Sequence, residues 1–417
     1  MRIAIIGGGV AGLGAAWLLS DHNDVTVFEA TPRFGGHAHT VSLDIDGEPV
    51  FVDAGFEFFA NTIWPTFCRL LAALNVETRD YPVRIAVFRK GGKTTRVLPP
   101  AARHLLRGPV TGARTLLDLT QLGAVLASVA PIIRARDTSP TVGEVIDRLP
   151  LTASFRDEFL FPYLLGGWCV EPEEFRDFVA YDVFSYTFAS LSWKGGIPLK
   201  EVVGGTRSYV DALLRSIPGA TLRASCPVAG LVREGGGFRV RERDGVDHRF
   251  DHVILAINAR DACALLDTVS GTERVREHLA RIAYFRTTIA VHEDRRLMPA
   301  DERDWSEVNV RYDGHHAQTT VWKPWRSKRP VFRSWVTYDA APPDRLHQVI
   351  AFDHPKVTRA YFETQRVLAS EQGKGGLWFA GMHTHDNDSH ESALVSGVKV
   401  VRTLSPRAPR LAAIAGP

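Results

Sequence analysis

Three glycines near the start of the chain, Gly7, Gly9 and Gly12, follow an apolar run from Arg2 to Ile6 and open an Ala/Leu-rich stretch from Ala11 to Ser20. That order reads as a buried strand, a tight turn and a helix. The chemistry such a spacing serves is the holding of a diphosphate. Gly7 permits the turn, Gly9 lets the backbone approach the pyrophosphate, and Gly12 lets helix pack on strand. The helix start adds free amides and the positive end of its dipole. Asp24 to Phe28 reads as a second strand and ends in Glu29. An acid about 20 positions past the glycines is placed to accept hydrogen bonds from ribose hydroxyls. Strand, glycines, helix, strand and acid, in that order, predict a dinucleotide site.

Further residues narrow the dinucleotide. Glu29-Ala30-Thr31-Pro32-Arg33-Phe34-Gly35-Gly36, Val50-Phe51-Val52-Asp53-Ala54-Gly55 and Gly204-Gly205-Thr206-Arg207 recur as blocks along the chain. Near the end, Gly376-Leu377-Trp378-Phe379-Ala380-Gly381 reads as a strand and turn, and His390 to Val398 as a small-residue helix containing Ser396-Gly397. Together these blocks resemble the FAD-dependent amine oxidase and desaturase superfamily, which includes carotenoid-type desaturases and protoporphyrinogen oxidase. The resemblance implies FAD as cofactor, with Arg33, Gly35 and Gly36 at its diphosphate. It implies Val228 near the adenine, Ala256 near the pyrophosphate, and Gly381 at the end of the last strand. Ser392 and Ala393, at the start of the last helix, would then stand against the N1/O2 edge of the flavin, where a helix terminus stabilises the charge of the reduced ring. One position departs from the pattern: Met382 stands where most of the superfamily has an acid. Within the superfamily the chain is most similar to a bacterial group of NAD/FAD-binding proteins often found with cyclopropane-fatty-acid-synthase-like proteins. That group shows an aromatic-rich turn before His-Glu, whereas this chain has the polar loop His383 to Ser389.

The elements that must position these groups are spread over the sequence. The expected fold is α/β: a Rossmann-type FAD-binding domain built from discontinuous segments, 1–55, 200–268 and 350–404, with an α+β substrate domain, 56–199 and 269–349, carrying a mixed sheet. Residues 56–200 read as helices broken by Pro and Gly. Residues 270–350 read as strands in which Trp305, Tyr312, Trp322, Trp325, Phe332, Trp335 and Tyr338 recur. The tail 405–417, rich in Ala and Pro, reads as loosely held. No second glycine fingerprint is present for NAD(P)H.

Composition sets the outer bounds. With 45% hydrophobic and 23% charged residues the chain reads as globular. A net charge of +3 gives no argument for nucleic acid. Cys68, Cys169, Cys226 and Cys263 form no CxxC pair, which suggests free thiols in a reducing cytoplasm. The first strand starts at residue 2, so no signal peptide is expected ahead of it. Leu116 to Ile133 is apolar but interrupted by Asp118, Thr120, Gln121, Ser128 and Pro131. It suits a helix packed on the core, or an interfacial helix giving peripheral membrane contact through 103–136, flanked by Arg103, Arg107, Arg114, Arg134 and Arg136.

Catalytic candidates are His390 and Glu391 as polar groups beside the flavin, His39 (with His37) lining its cavity, and Lys323, after the lysine that some flavin amine oxidases place near N5. Substrate contacts are expected from Glu57, Trp168, Trp322 and Trp335, with Arg84 and Tyr163 as further cavity candidates. The His/Asp loop could ligate a metal, but the flavin accounts for it more economically, and no metal is expected. The expected activity is hydride transfer from a small hydrophobic substrate to flavin N5, as desaturation or double-bond isomerisation of a fatty-acyl or other lipid. The alternatives are a flavin amine oxidase releasing imine and hydrogen peroxide, and a non-catalytic flavin-binding protein.

Overall fold

The apolar run Arg2–Ile6 lies in the middle of a five-stranded parallel sheet. Its order is Leu377–Phe379, His252–Leu255, Arg2–Ile6, Asp24–Phe28 and Thr221–Arg223. Ile5 pairs with Ile254 on one side and Val27 on the other. Strands covered on both faces are continuous Val/Ile/Leu runs, which is why they stand out in the sequence. The computed structural model describes residues 1–92, 94–106, 109–188 and 197–414. The first helix, Val10–Leu19, is buried at every residue, as a helix apolar all round must be. One side lies on the parallel sheet and the other on the last helix, His390–Leu404. The two helices meet at glycine: a Cβ on Gly14 would come within 2.7 Å of Leu394, and one on Gly397 within 2.6 Å of the Ala11 carbonyl oxygen.

The second layer is a seven-stranded sheet in the order Leu346–Pro355, Tyr284–His292, Phe332–Trp335, Ala317–Trp322, Val308–Tyr312, Ile85–Arg89 and Thr95–Leu98. It is antiparallel except where Val308–Tyr312 runs parallel to Ile85–Arg89. Two expectations change here. The segment expected to be helical from 56 to 200 also supplies the strands Thr78–Val83, Ile85–Arg89 and Thr95–Leu98. These are short runs, and one carries a proline, so no alternation long enough to read as a strand develops. The boundary expected at 350 falls inside a strand, since Leu346–Pro355 ladders along Tyr284–His292 with Ile350 opposite Ile289. The hairpin Thr40–Ile45/Glu48–Asp53 also joins this layer, packing Val41, Ile45, Val50 and Val52 against Ile289, Val291, Val331 and Ile350.

Helices cover the rest. The long helix Pro109–Ala135 presents Leu122, Val125 and Val129 to the core and leaves Leu116 and Leu117 exposed. Its portion Thr111–Ala135 has the length and composition of a membrane-crossing helix, with 28% of the apolar window buried. Arg107, one of its expected basic flanks, lies outside the described residues. Beside it, Ala180–Phe188 packs into the core. The tail is not loose as far as Ile414. Leu411 and Ile414 are buried, Arg69 Nε donates to the Ile414 carbonyl (3.0 Å), and Arg410 binds the Trp17 carbonyl (2.7 Å) and Asp21 (2.7 Å).

Candidate functional site

The glycine turn is closed where protein must close it and open where a phosphate would sit. A Cβ on Gly7 would lie 2.2 Å from the Ala256 carbonyl oxygen, and one on Gly12 2.0 Å from that of Gly7. At Gly9 such an atom would meet nothing within 4 Å. Gly9 is also the N-cap of the first helix and provides no side-chain cap, so the terminal amides are left for a ligand. Gly36, at φ +57°, faces Gly9 across this opening, its added Cβ 3.2 Å from the Gly9 Cα. Arg33 braces that loop by donating to the carbonyls of Ala38 (2.8 Å) and Gly36 (2.8 Å), while the Gly35 amide donates to the Gly8 carbonyl (2.7 Å). Glu29 accepts from the Gly8 amide (2.9 Å) and from both the amide and hydroxyl of Thr31 (2.8 Å each). Its carboxylate is thereby fixed at the mouth of the cradle. Ala256 donates to the Ile6 carbonyl (2.7 Å), and Val228 begins the strand Val228–Glu234. This opening fits the diphosphate of FAD.

At the other end, the last parallel strand leads into Gly381, whose amide donates to Ser396 Oγ (2.7 Å). The following loop ends at Ser389, which caps the last helix by accepting from the Ser392 amide (3.1 Å). Ser392 and Ala393 are buried in its first turn, and Ser392 Oγ donates to Asn387 (2.8 Å).

Several expected catalytic and substrate residues are engaged elsewhere. His390 meets the Tyr209 hydroxyl through Nε2 (2.9 Å) and packs on Phe56 (4.1 Å between centroids) and Phe67 (4.9 Å). Burial pushes it down to about 3, so it is a neutral packing residue. Glu391 accepts from the amides of Thr66 and Phe67 (2.8 Å each), at the start of the helix Pro65–Ala73. That helix has no side-chain bond from its own N-cap, Trp64. Lys323 is buried against Glu201 (2.7 Å) and 4.0 Å from Glu57, whose carboxylate takes Arg326 (2.6 Å). Opposing cations hold the Glu57 carboxyl below its ordinary range, against the burial that raises it. These charges neutralise one another and form a structural network. Trp322 packs with Met298, Trp305 and Phe332 in a satellite core. Arg84 is held through its backbone amide by Glu307 (2.8 Å).

The imidazoles of the His/Asp loop do not converge on one point: His383 is buried, His385 meets Lys399 (3.1 Å) and His390 meets Tyr209. A different group, Glu171, His315 and His316, brings its donor atoms within 4.8 Å of one another in the described part of the chain.

What does converge is a set of aromatic side chains, with Arg333 tying the seven-stranded sheet to the strand end at Ala54-Gly55. Trp168 faces Tyr186 (6.3 Å), and Tyr163 lies beside Tyr186. Trp335 lies under the guanidinium of Arg333 (4.0 Å), itself a neighbour of Tyr186. Arg333 donates to the carbonyls of Ala54 (2.9 Å) and Gly55 (3.0 Å). His37 stacks on Phe352 (4.9 Å), near His354 (5.4 Å), and His39 stands edge-on to Phe352 (6.3 Å). Burial pushes His37 down to about 4 and His354 to about 3, so both rings are neutral. Among the described residues, the buried polar atoms His37 Nε2, Trp335 Nε1 and Thr287 Oγ1 have no hydrogen-bond partner. Such atoms are satisfied in most proteins, and a ring rimmed with donors and acceptors, such as isoalloxazine, can supply partners. Arg333, Tyr186 and His354 gave no signal in the sequence, because none belongs to a motif. Asp182 and Asp388 also flank this region, the Asp388 amide donating to Asp182 Oδ1 (2.6 Å).

Comparison with known proteins agrees with this arrangement. The sequence profile of the flavin containing amine oxidoreductase family matches residues 10–292. A flavin-dependent L-tryptophan oxidase, RebO of Lentzea aerocolonigenes, is 26% identical over 353 residues, covering 78% of this chain and 71% of that protein. The fold is similar to that of a CLA-producing fatty acid isomerase from P. acnes, with a TM-score of 0.70, 14% identity and coverage of 97% and 98%. It is also similar to that of cyclohexylamine oxidase from Brevibacterium oxydans, with a TM-score of 0.66, 17% identity and coverage of 97% and 99%. With its glycine cradle, its parallel sheet and a profile match over more than half its length, the chain belongs to the flavin containing amine oxidoreductase family and is an FAD-dependent oxidoreductase.

Proposed function

We propose that the enzyme acts on a small hydrophobic substrate, a fatty-acyl chain or other lipid, by desaturation or double-bond isomerisation. What supports this reading is the set of aromatic side chains Trp168, Tyr186, Trp335 and Phe352 around Arg333 and His37, which suits contact with an apolar substrate. Leu105, Leu106, Leu116 and Leu117, all exposed near the long helix, support a peripheral contact with lipid. Bound FAD supplies the hydride acceptor at N5 of its ring. The protein holds the substrate against that ring and excludes water, and orientation of this kind can contribute several kcal/mol to the barrier. His37 and His354, both neutral, add no charge beside the reacting carbon. Arg333, held by the Ala54 and Gly55 carbonyls, is a buried cation beside Trp335.

A second reading, oxidation of an amine, is favoured by the sequence similarity to a tryptophan oxidase, because the same aromatic walls can hold a neutral amine. Anaerobic titration of the FAD-loaded enzyme with unsaturated fatty acids and with simple amines separates the two. Bleaching of the flavin by acyl chains, or their turnover without net bleaching, supports the lipid reading. Bleaching by amines alone replaces it.

A further inference from the structure

The turn between the strands Val308–Tyr312 and Ala317–Trp322 presents two successive histidines, and the chain entering the helix Pro172–Arg176 brings a carboxylate to them. Glu171 Oε2 lies 3.2 Å from His316 Nε2 and 3.8 Å from His315 Nε2. Among the described residues, these three donor atoms fall within 4.8 Å of one another. A hydrogen bond accounts only for the shorter approach, because 3.8 Å is too long for one. The turn holds both rings in place. Asp313 donates its amide to the His316 carbonyl (3.1 Å), and its Oδ1 accepts the amides of His315 (2.9 Å) and His316 (2.8 Å). Gly314 takes a φ of +112°, which a residue with a Cβ rarely adopts. The His316 ring stacks on Tyr338, 3.8 Å between centroids and 10° from parallel, and Tyr338 also neighbours Glu171. At the other nitrogen of that ring, Nδ1, Asp313 Oδ2 stands 3.8 Å away. A carboxylate behind an imidazole is the usual outer partner of a metal-bound histidine.

We propose that Glu171, His315 and His316 bind one divalent transition-metal cation of the zinc class, with solvent completing its coordination. Zn–N and Zn–O bonds of about 2.1 Å put neighbouring ligands of a tetrahedral ion about 3.4 Å apart. The separations of 3.2 and 3.8 Å bracket that figure, and the His315 side chain, 53% exposed, can swing to close the longer one. Two imidazole nitrogens select against Mg²⁺ and Ca²⁺, which prefer oxygen ligands throughout. The ion joins parts of the chain 145 residues apart. Segment 166–171 already runs beside the strand Ala317–Trp322: Thr319 Oγ1 donates to the Gly166 carbonyl (2.6 Å), and the Cys169 thiol donates to Gln318 Oε1 (3.8 Å). The cation closes the end of that contact, just past Trp168, and so steadies one member of the aromatic set. The site uses no residue of the FAD cradle and holds whichever substrate the enzyme takes.

Equilibrium dialysis of the untagged, chelator-treated, FAD-loaded enzyme against Zn²⁺ tests the site, with bound metal read by elemental analysis. One Zn²⁺ per chain is expected in the parent. Loss of an outer partner alone costs a metal site about 10–100-fold, so Glu171→Gln and His315→Ala are each expected to weaken binding by about 10-fold or more. Both side chains are about half exposed (46% and 53%), so both variants should fold, and a flavin content and metal-free Tm equal to the parent's check that they do. Zn²⁺ should raise the Tm of the parent and leave that of the variants unchanged, since a ligand of the folded state stabilises it. Anomalous diffraction at the zinc edge is expected to place the ion between the three side chains. A parent that retains no Zn²⁺, binding equal in parent and both variants, or an ion found elsewhere overturns the proposal. Mg²⁺ that binds as tightly as Zn²⁺ overturns it too, because the imidazoles would then not be ligands.

Discussion

Glu391 and Lys323 show how a residue of the right type can be committed to structure. Glu391 serves two amides at the start of the helix Pro65–Ala73, a task normally done by an N-cap. Glu391→Ala is expected to cost about 1–2 kcal/mol in urea unfolding and to leave the rate of flavin reduction unchanged in the folded fraction. Lys323→Met breaks a buried pair with Glu201 and should cost about 3–5 kcal/mol. A selective loss of the reduction rate with stability intact would return either residue to the catalytic list. The sequence could not show these roles, since Glu391 acts 325 and 324 positions away and Lys323 acts 122 positions away from its carboxylate. Gly7, Gly12 and Glu29 were legible because their constraint is local: a turn, a close approach and an acid at a fixed offset.

Elements were legible where their period was long and unbroken. The strands Arg2–Ile6, Asp24–Phe28 and His252–Leu255 are buried apolar runs, and the glycine turn marks where the first one ends. The strands between 78 and 98 were hidden, because Arg79, Pro82 and Arg96 interrupt short runs whose partners come from distant segments. Two glycine substitutions test the elements that hold FAD. Gly9→Leu meets open space at an ordinary φ of −78°, so the apoprotein should fold with little change in Tm while FAD binding is lost. Gly397→Val drives a branched side chain into the Ala11 backbone, where neither helix can give easily. It should lower Tm and weaken FAD binding together. Calorimetry and flavin fluorescence read both, and a Gly9→Leu protein that binds FAD normally would remove the diphosphate from that opening.

For the molecule as a whole, buried imidazoles set the response to acid. His292 and His383 are pushed down to about 4, and His390 to about 3, by burial. An unfolded histidine titrates at about 6.5, so between these values the unfolded chain binds the protons. The stability linked to each ring is therefore complete above about pH 6.5 and falls below it, by about 1.4 kcal/mol per pH unit per ring. Urea unfolding at pH 7, 5.5 and 4.5 should show this decline, and a flat profile would contradict it. The order of the parallel sheet has a consequence of a different kind. Arg2–Ile6 is flanked by His252–Leu255, and the row is completed by Leu377–Phe379. At about 5–20 residues per second, the ribosome needs on the order of ten seconds or longer to deliver the first of these neighbours. The nucleotide cradle is thus among the first segments made and among the last assembled, so FAD is captured by a finished chain, and a ribosome stalled before the last helix would release a polypeptide unable to retain it.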